Sequence, residues 1–90
     1  MQKKIAVLVR DRQGEALRVS VGITIMDDMI DVYVLDRRLA ENEENAMNLE
    51  ALKDLGMRVY TNVKDNAGIE YVPTEEIASR LLEYDTVLPY

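Results

Sequence analysis

Arg10, Arg12, Arg37 and Arg38 stand just beyond two apolar runs, residues 5–9 and 30–35. A guanidinium stays charged at any accessible pH, and its forked donors match a carboxylate or a phosphate. These four belong to a set of 11 Lys and Arg in a chain with 17 Asp and Glu, a formal net charge of -6. Thr61 and Asn62 follow a third apolar run. Gln13 and Gly14 lead from Arg12 towards a segment with helical wiring, where the N–H groups of a helix start favour an anion. Arg10, Arg12, Gly14, Arg37, Arg38, Thr61 and Asn62 therefore make a candidate site for a small anion or for the carboxylates of a partner protein. The competing reading is structural. Asp11 and Asp36 interleave with the arginines, and exposed pairs of that kind are common and worth ~0–1 kcal/mol.

Other chemistries are removed by composition. The chain has no Cys and no His, so it offers no thiolate nucleophile, imidazole base, disulfide or usual zinc ligand. Asp27 and Asp28 read as a turn before a strand, and Glu41, Glu43 and Glu44 as a solvated helix start. Neither has the spacing of an oxygen-only metal site, and no metal is expected. Glycine-rich phosphate fingerprints are missing, and there is no Trp or Phe to stack on a flavin, so no cofactor is expected. Tyr33 and Tyr60 lie on predicted strands and read as core or interface residues. The acidic balance argues against nucleic acid and anionic membranes as partners. No apolar run approaches the ~20 residues of a membrane span, and the five apolar residues at 5–9 are too few for a secretory signal. A cytoplasmic location is expected.

The elements that position these residues follow from hydrophobic patterning. Residues 5–9, 30–35, 57–61 and 86–88 are short apolar runs rich in β-branched residues, as in strands covered on both faces, and 70–72 adds a shorter one. Residues 43–55 read as a helix capped by Asn42, with Gly56 just past its end and an apolar stripe at Ala46, Leu49, Leu52 and Leu55. Residues 74–84 read as a second, with Thr74 capping and Ile77, Ala78, Leu81 and Leu82 on one face. The segment 14–28 is ambiguous. Residues 19–25 alternate with period two and are rich in β-branched types, which favours a strand. Two doubly buried strands on either side favour a helix, because a parallel pair needs a crossover. We read a helix, apolar round most of its circumference and buried against both the sheet and another subunit. The result is one α/β domain over residues 1–90, three-layered, with a mainly parallel sheet of four or five strands. Ligands in such sheets sit beyond the carboxyl ends of the strands, where the arginines fall.

The strings KIAVLVR at 4–10, EALRVSV at 15–21 and IDVYVL at 30–35, continued by LKDLGMRVY at 52–60, EEIASRLLEYD at 75–85 and TVLPY at 86–90, are similar to the DsrE/DsrF-like (sulfur-relay, TusD-like) family over nearly the whole chain. The resemblance implies a flavodoxin-like fold and a homo-oligomer, commonly a trimer, a hexamer or a mixed assembly. Sulfur-carrying members hold a persulfide on a Cys just after the third strand. The matching stretch here, Tyr60 to Val63, has none, and neither hydroxyl nor amide can replace a thiolate in that chemistry. The resemblance therefore implies a member without the sulfur carrier, a non-catalytic oligomeric protein that binds a protein partner or a small anion. The alternative is an enzyme that processes a small anionic substrate at the arginine edge with an external cofactor.

Overall fold

The computed structural model describes residues 3–24, 29–66 and 68–90. Its elements run β1 (Lys4–Val9), α1 (Gln13–Thr24), β2 (Met29–Val34), α2 (Glu43–Asp54), β3 (Arg58–Thr61), β4 (Glu70–Tyr71), α3 (Thr74–Leu81) and β5 (Thr86–Pro89). The segment whose local propensity points to a strand is helical. β1 and β2 lie side by side and parallel, from Lys4 opposite Met29 to Val9 opposite Val34, so the chain must cross back between them, and topology overrides propensity. Ser20 sits fully buried in α1 because its hydroxyl donates to the Ala16 carbonyl at 2.8 Å. Ile25, Met26, Asp27 and Asp28 lie outside the described residues.

All five strands are parallel, in the order β4-β3-β2-β1-β5. The chain steps outward from β1 to β4, then returns to β5 on the far side of β1. The reversal therefore falls between β1 and β5, where a flavodoxin-order sheet has it between β1 and β3. Alternate residues of each strand serve opposite faces. Ile5, Val7, Val9, Ile30, Val32, Val34 and Val59 pack with Ala16 and Leu17 of α1 and Leu52 of α2. Ala6, Leu8, Tyr33, Leu35 and Tyr60 pack with Ile77 of α3 and with Val72, which lies between β4 and α3. Helices thus cover both faces, giving the three-layer α/β architecture that the patterning leads to, of the flavodoxin-like class that the resemblance implies.

The helices differ from expectation in detail. α2 starts as read, with the Asn42 side chain accepting from the Asn45 N–H at 2.8 Å and Gly56 following at φ 79°. Its buried face is carried by Asn45 and Leu52, with Leu49 partly covered, while Met47 and Leu55 stay on the surface. α2 also lies beside α1, so part of the cover assigned above to a second subunit comes from within the chain. α3 stops at Leu81, and Pro73 occupies its N-cap without a side-chain bond. Thr74 instead accepts a hydrogen bond from the Asn62 amide at 3.1 Å. No described helix is long and apolar enough to cross a membrane.

Candidate functional site

The parallel sheet brings the exits of β1 and β2 together, and with them the arginines. Arg10 and Asp11 leave β1 and Asp36 and Arg37 leave β2, and the two loops exchange ion pairs reciprocally. Arg10 Nε lies 3.1 Å from Asp36, and an Arg37 nitrogen lies 2.8 Å from Asp11. Arg12 meets Glu15 at 3.4 Å and Arg38 meets Glu41 at 3.3 Å. In all four pairs both side chains are well exposed to solvent. The sequence-predicted arginines therefore share one edge, each held by a carboxylate of this chain.

Asn62 is the bracket of this edge. Its side-chain oxygen accepts from the Asp36 N–H at 2.7 Å, and its amide donates to the Asp36 carboxylate at 3.1 Å and to Thr74. Asp36 adopts φ 68°, a left-handed conformation that Asp tolerates better than most residues, and Asn62 holds it there. The hydrogen bond from Asn62 comes first, and that from Arg10 adds to it, in keeping the Asp36 carboxyl below its ordinary value.

Thr61 does not face a ligand space, and Gly14 shows no feature that needs a glycine. Thr61 is fully buried, and its hydroxyl accepts from the Val63 N–H at 3.1 Å and the Asn66 amide at 2.8 Å. It secures the loop after β3. A side chain at Gly14 would make only ordinary contact, 3.6 Å from the Asn45 side-chain oxygen, so no close backbone approach calls for glycine there. The expected N–H groups before α1 are partly spoken for: those of Asp11 and Arg12 donate to the Tyr90 carbonyl at 3.1 and 2.9 Å. The Arg12 guanidinium also lies over the Tyr90 ring, 5.4 Å from its centre.

Two residues that patterning passes over build this edge. Gln13 donates to the Arg38 carbonyl at 3.0 Å and accepts from the Ala40 N–H at 2.9 Å. Asn66 accepts from the Leu39 N–H at 2.8 Å and donates to the Arg37 carbonyl at 3.2 Å. Both fix the loop that carries Arg37 and Arg38 by supplying partners for backbone groups that no strand or helix satisfies. Beside this loop a cleft of about 230 Å³ opens between Leu39, Ala46, Leu49 and Ile69, with Arg38, Glu41 and Asp65 at its margin.

Comparison with protein-family models, with curated proteins and with solved structures gives no match.

A second cluster lies at the opposite, amino end of the sheet on the α3 side and includes Tyr33 and Tyr60, expected as core or interface residues. Asp31 interrupts the apolar run of β2 and stands opposite Ala6 of β1 and Arg58 of β3. Its carboxylate is nearly buried. It accepts from the Tyr84 hydroxyl and lies 3.6 Å from Arg58. The Tyr33 and Tyr84 hydroxyl oxygens are 2.7 Å apart. A phenol has one proton, and Tyr84 gives its own to Asp31, so Tyr33 must donate to Tyr84. Burial first, and the carboxylate next to it, push the Tyr84 hydroxyl well above its ordinary value, and burial raises that of Tyr33. The Asp31 carboxylate raises Arg58 in turn. Among the described residues, no group of three or more acidic side chains converges to hold a metal ion.

Proposed function

We propose that this chain is a DsrE-like protein that works by binding rather than by catalysis, recognising a small anion or a partner's carboxylates at the carboxyl edge of its sheet. Arg10, Arg12, Arg37 and Arg38 are the donors, and Asn62 is the residue that sets the loop they stand on. One observation carries the reading: the reciprocal Arg10–Asp36 and Arg37–Asp11 pairs, each a single contact between exposed groups. Such a pair is worth ~0–1 kcal/mol, so an incoming carboxylate or phosphate can replace the internal partner at little cost. The fork of an arginine then gains a second, parallel hydrogen bond that the internal partner does not make. The missing thiolate and imidazole favour binding over turnover.

The protein acts as a homo-oligomer in the cytoplasm. The assembly covers apolar side chains that a small three-layer domain leaves outside, among them Met47, Leu55, Leu82 and Val87.

The test is a thermal-shift and calorimetric titration with phosphate, sulfate and succinate. The wild type gains stability at millimolar ligand. With succinate, the Arg10→Gln, Arg37→Gln double variant loses most of that gain, because both forks are gone. An unchanged midpoint with every anion would remove the proposal.

A further inference from the structure

α3 is only eight residues long, about 12 Å at 1.5 Å per residue. It covers Leu8, Leu35 and Val72 towards the carboxyl half of the sheet. The amino half of the same face is left with a solvent-open basin of about 170 Å³, lined by Lys4, Arg58 and Arg80 as well as by Asp31 and the tyrosines. In a chain of net charge -6, three cations converge here, against Asp31 and Glu83.

The charged and polar groups form a directed chain. Tyr33 donates to Tyr84, and Tyr84 donates to Asp31, which also faces Arg58, while the Arg80 charge stands at the Tyr33 end of the chain. Every donor points the same way, so each bond polarises the next. The chain engages one Asp31 oxygen inside the wall, and Arg58 faces the other. It leaves outward-facing donors around the basin. Arg58 keeps 61% of its side chain exposed and meets Asp31 only at 3.6 Å. Lys4 lies over the Tyr84 ring, 5.1 Å from its centre, and Arg80 over the Tyr60 ring at 5.0 Å. These ring contacts orient the two cations; Arg80 also pairs with Glu76 of α3 at 3.0 Å, a pair of exposed type that an incoming oxyanion can replace at little cost. A network built only for stability has no need of this polarity, since apolar residues of similar volume usually serve a sheet face at least as well.

We propose that this basin is a second ligand site, distinct from the arginine edge, that takes a small oxyanion such as phosphate between Lys4, Arg58 and Arg80. Asp31, Tyr33 and Tyr84 are positioning residues. They fix Arg58 and Arg80 and keep the wall rigid while the anion is exchanged with solvent.

The protein carries its own reporter. It has no Trp and five Tyr, and Tyr33, Tyr60 and Tyr84 border the basin. Wild-type protein titrated with inorganic phosphate shows a saturable change in tyrosine emission. Lys4→Gln and Arg58→Gln each raise the dissociation constant about tenfold or more, the loss expected when one charge-assisted hydrogen bond disappears. The Arg10→Gln, Arg37→Gln variant keeps the emission change, which separates this site from the edge. Circular dichroism in phosphate-free buffer reports whether each variant is folded. Should Arg58→Gln fail to fold, Lys4→Gln decides alone, since its side-chain contact with the fold is the Tyr84 ring. A wild type without a saturable response overturns the proposal. So does phosphate binding that survives Lys4→Gln undiminished, or that is lost in the edge variant instead.

Discussion

At the scale of single residues, Asp31 and Asp36 show how environment divides two carboxylates of one strand and its exit. Asp31 is enclosed and takes the Tyr84 proton donor, whereas Asp36 is open and takes the Asn62 amide. Tyr84→Phe keeps the ring and removes the donor, leaving Tyr33 without its acceptor and Asp31 short of a partner. We expect a loss of about 1–3 kcal/mol in urea unfolding, the usual consequence of stranding a buried polar group. Asp36 titrates below its ordinary value of 3.8 in the folded protein. A depressed value means that the unfolded chain takes up the proton first. The stabilisation is therefore present above that ordinary value and fades as the pH falls through the folded one. Acid unfolding followed by circular dichroism is expected to be shallower below pH 3.8 in Asp36→Asn than in the wild type. The tyrosines act in the opposite sense. Tyr33 and Tyr84 both titrate above the ordinary 10.0, so the folded state holds protons that the unfolded chain releases. Stability then declines as the pH rises beyond 10. Ultraviolet titration of the phenolate band should show these two ionising above the ordinary 10.0.

At the scale of elements, α2 separates what packs from what merely looks apolar. Leu52 is fully buried, while Met47 is 69% and Leu55 51% exposed. Leu52→Ala is expected to cost about 2–5 kcal/mol, as for other buried leucines. Met47→Ala should stay within about 0.5 kcal/mol in the isolated protomer. Chemical denaturation at low protein concentration distinguishes them. The comparison also shows how far the sequence could be read. The strands were legible because β-branched runs at 5–9 and 30–35 have no helical alternative of sufficient length. α1 was legible only through topology, since its own residues favour a strand. The buried face of α2 keeps Leu49 and Leu52 of the apolar stripe but leaves Ala46 and Leu55 outside, because Asn45, a polar residue, takes a core position by donating its amide to the Ala40 carbonyl at 2.9 Å. The arginine edge followed from placing charges after parallel strands. Gln13 and Asn66 were hidden because nothing in an amide's local surroundings announces that it will satisfy a distant loop. The Asp31 cluster did leave a trace, a charge inside an apolar strand. Its partners are Arg58, at the start of β3, and Tyr84, in the turn between α3 and β5, and patterning does not supply the register that brings them to Asp31.

At the scale of the whole molecule, two polar sites occupy opposite ends of one sheet, with the apolar layers between them. The carboxyl end follows from the parallel wiring, which gathers every exit of β1, β2 and β3 along one rim. The amino-end basin follows from the shortness of α3. In the proposed assembly the exposed Met47 and Leu55 are the side chains to be covered. Light scattering at micromolar concentration is expected to give a mass above the 10.3 kDa of one chain, and a Met47→Glu, Leu55→Glu variant a smaller one; a wild-type monomer would contradict the assembly. The most direct test of the arginine edge is an amide NMR titration of the intact protein with phosphate at constant ionic strength. The account predicts progressive, saturable shifts of the amides at Arg10 to Gly14 and at Asp36 to Arg38, lost in the Arg10→Gln, Arg37→Gln variant. Amides on both loops that stay unmoved at millimolar phosphate, or that move equally in the double variant, would contradict it.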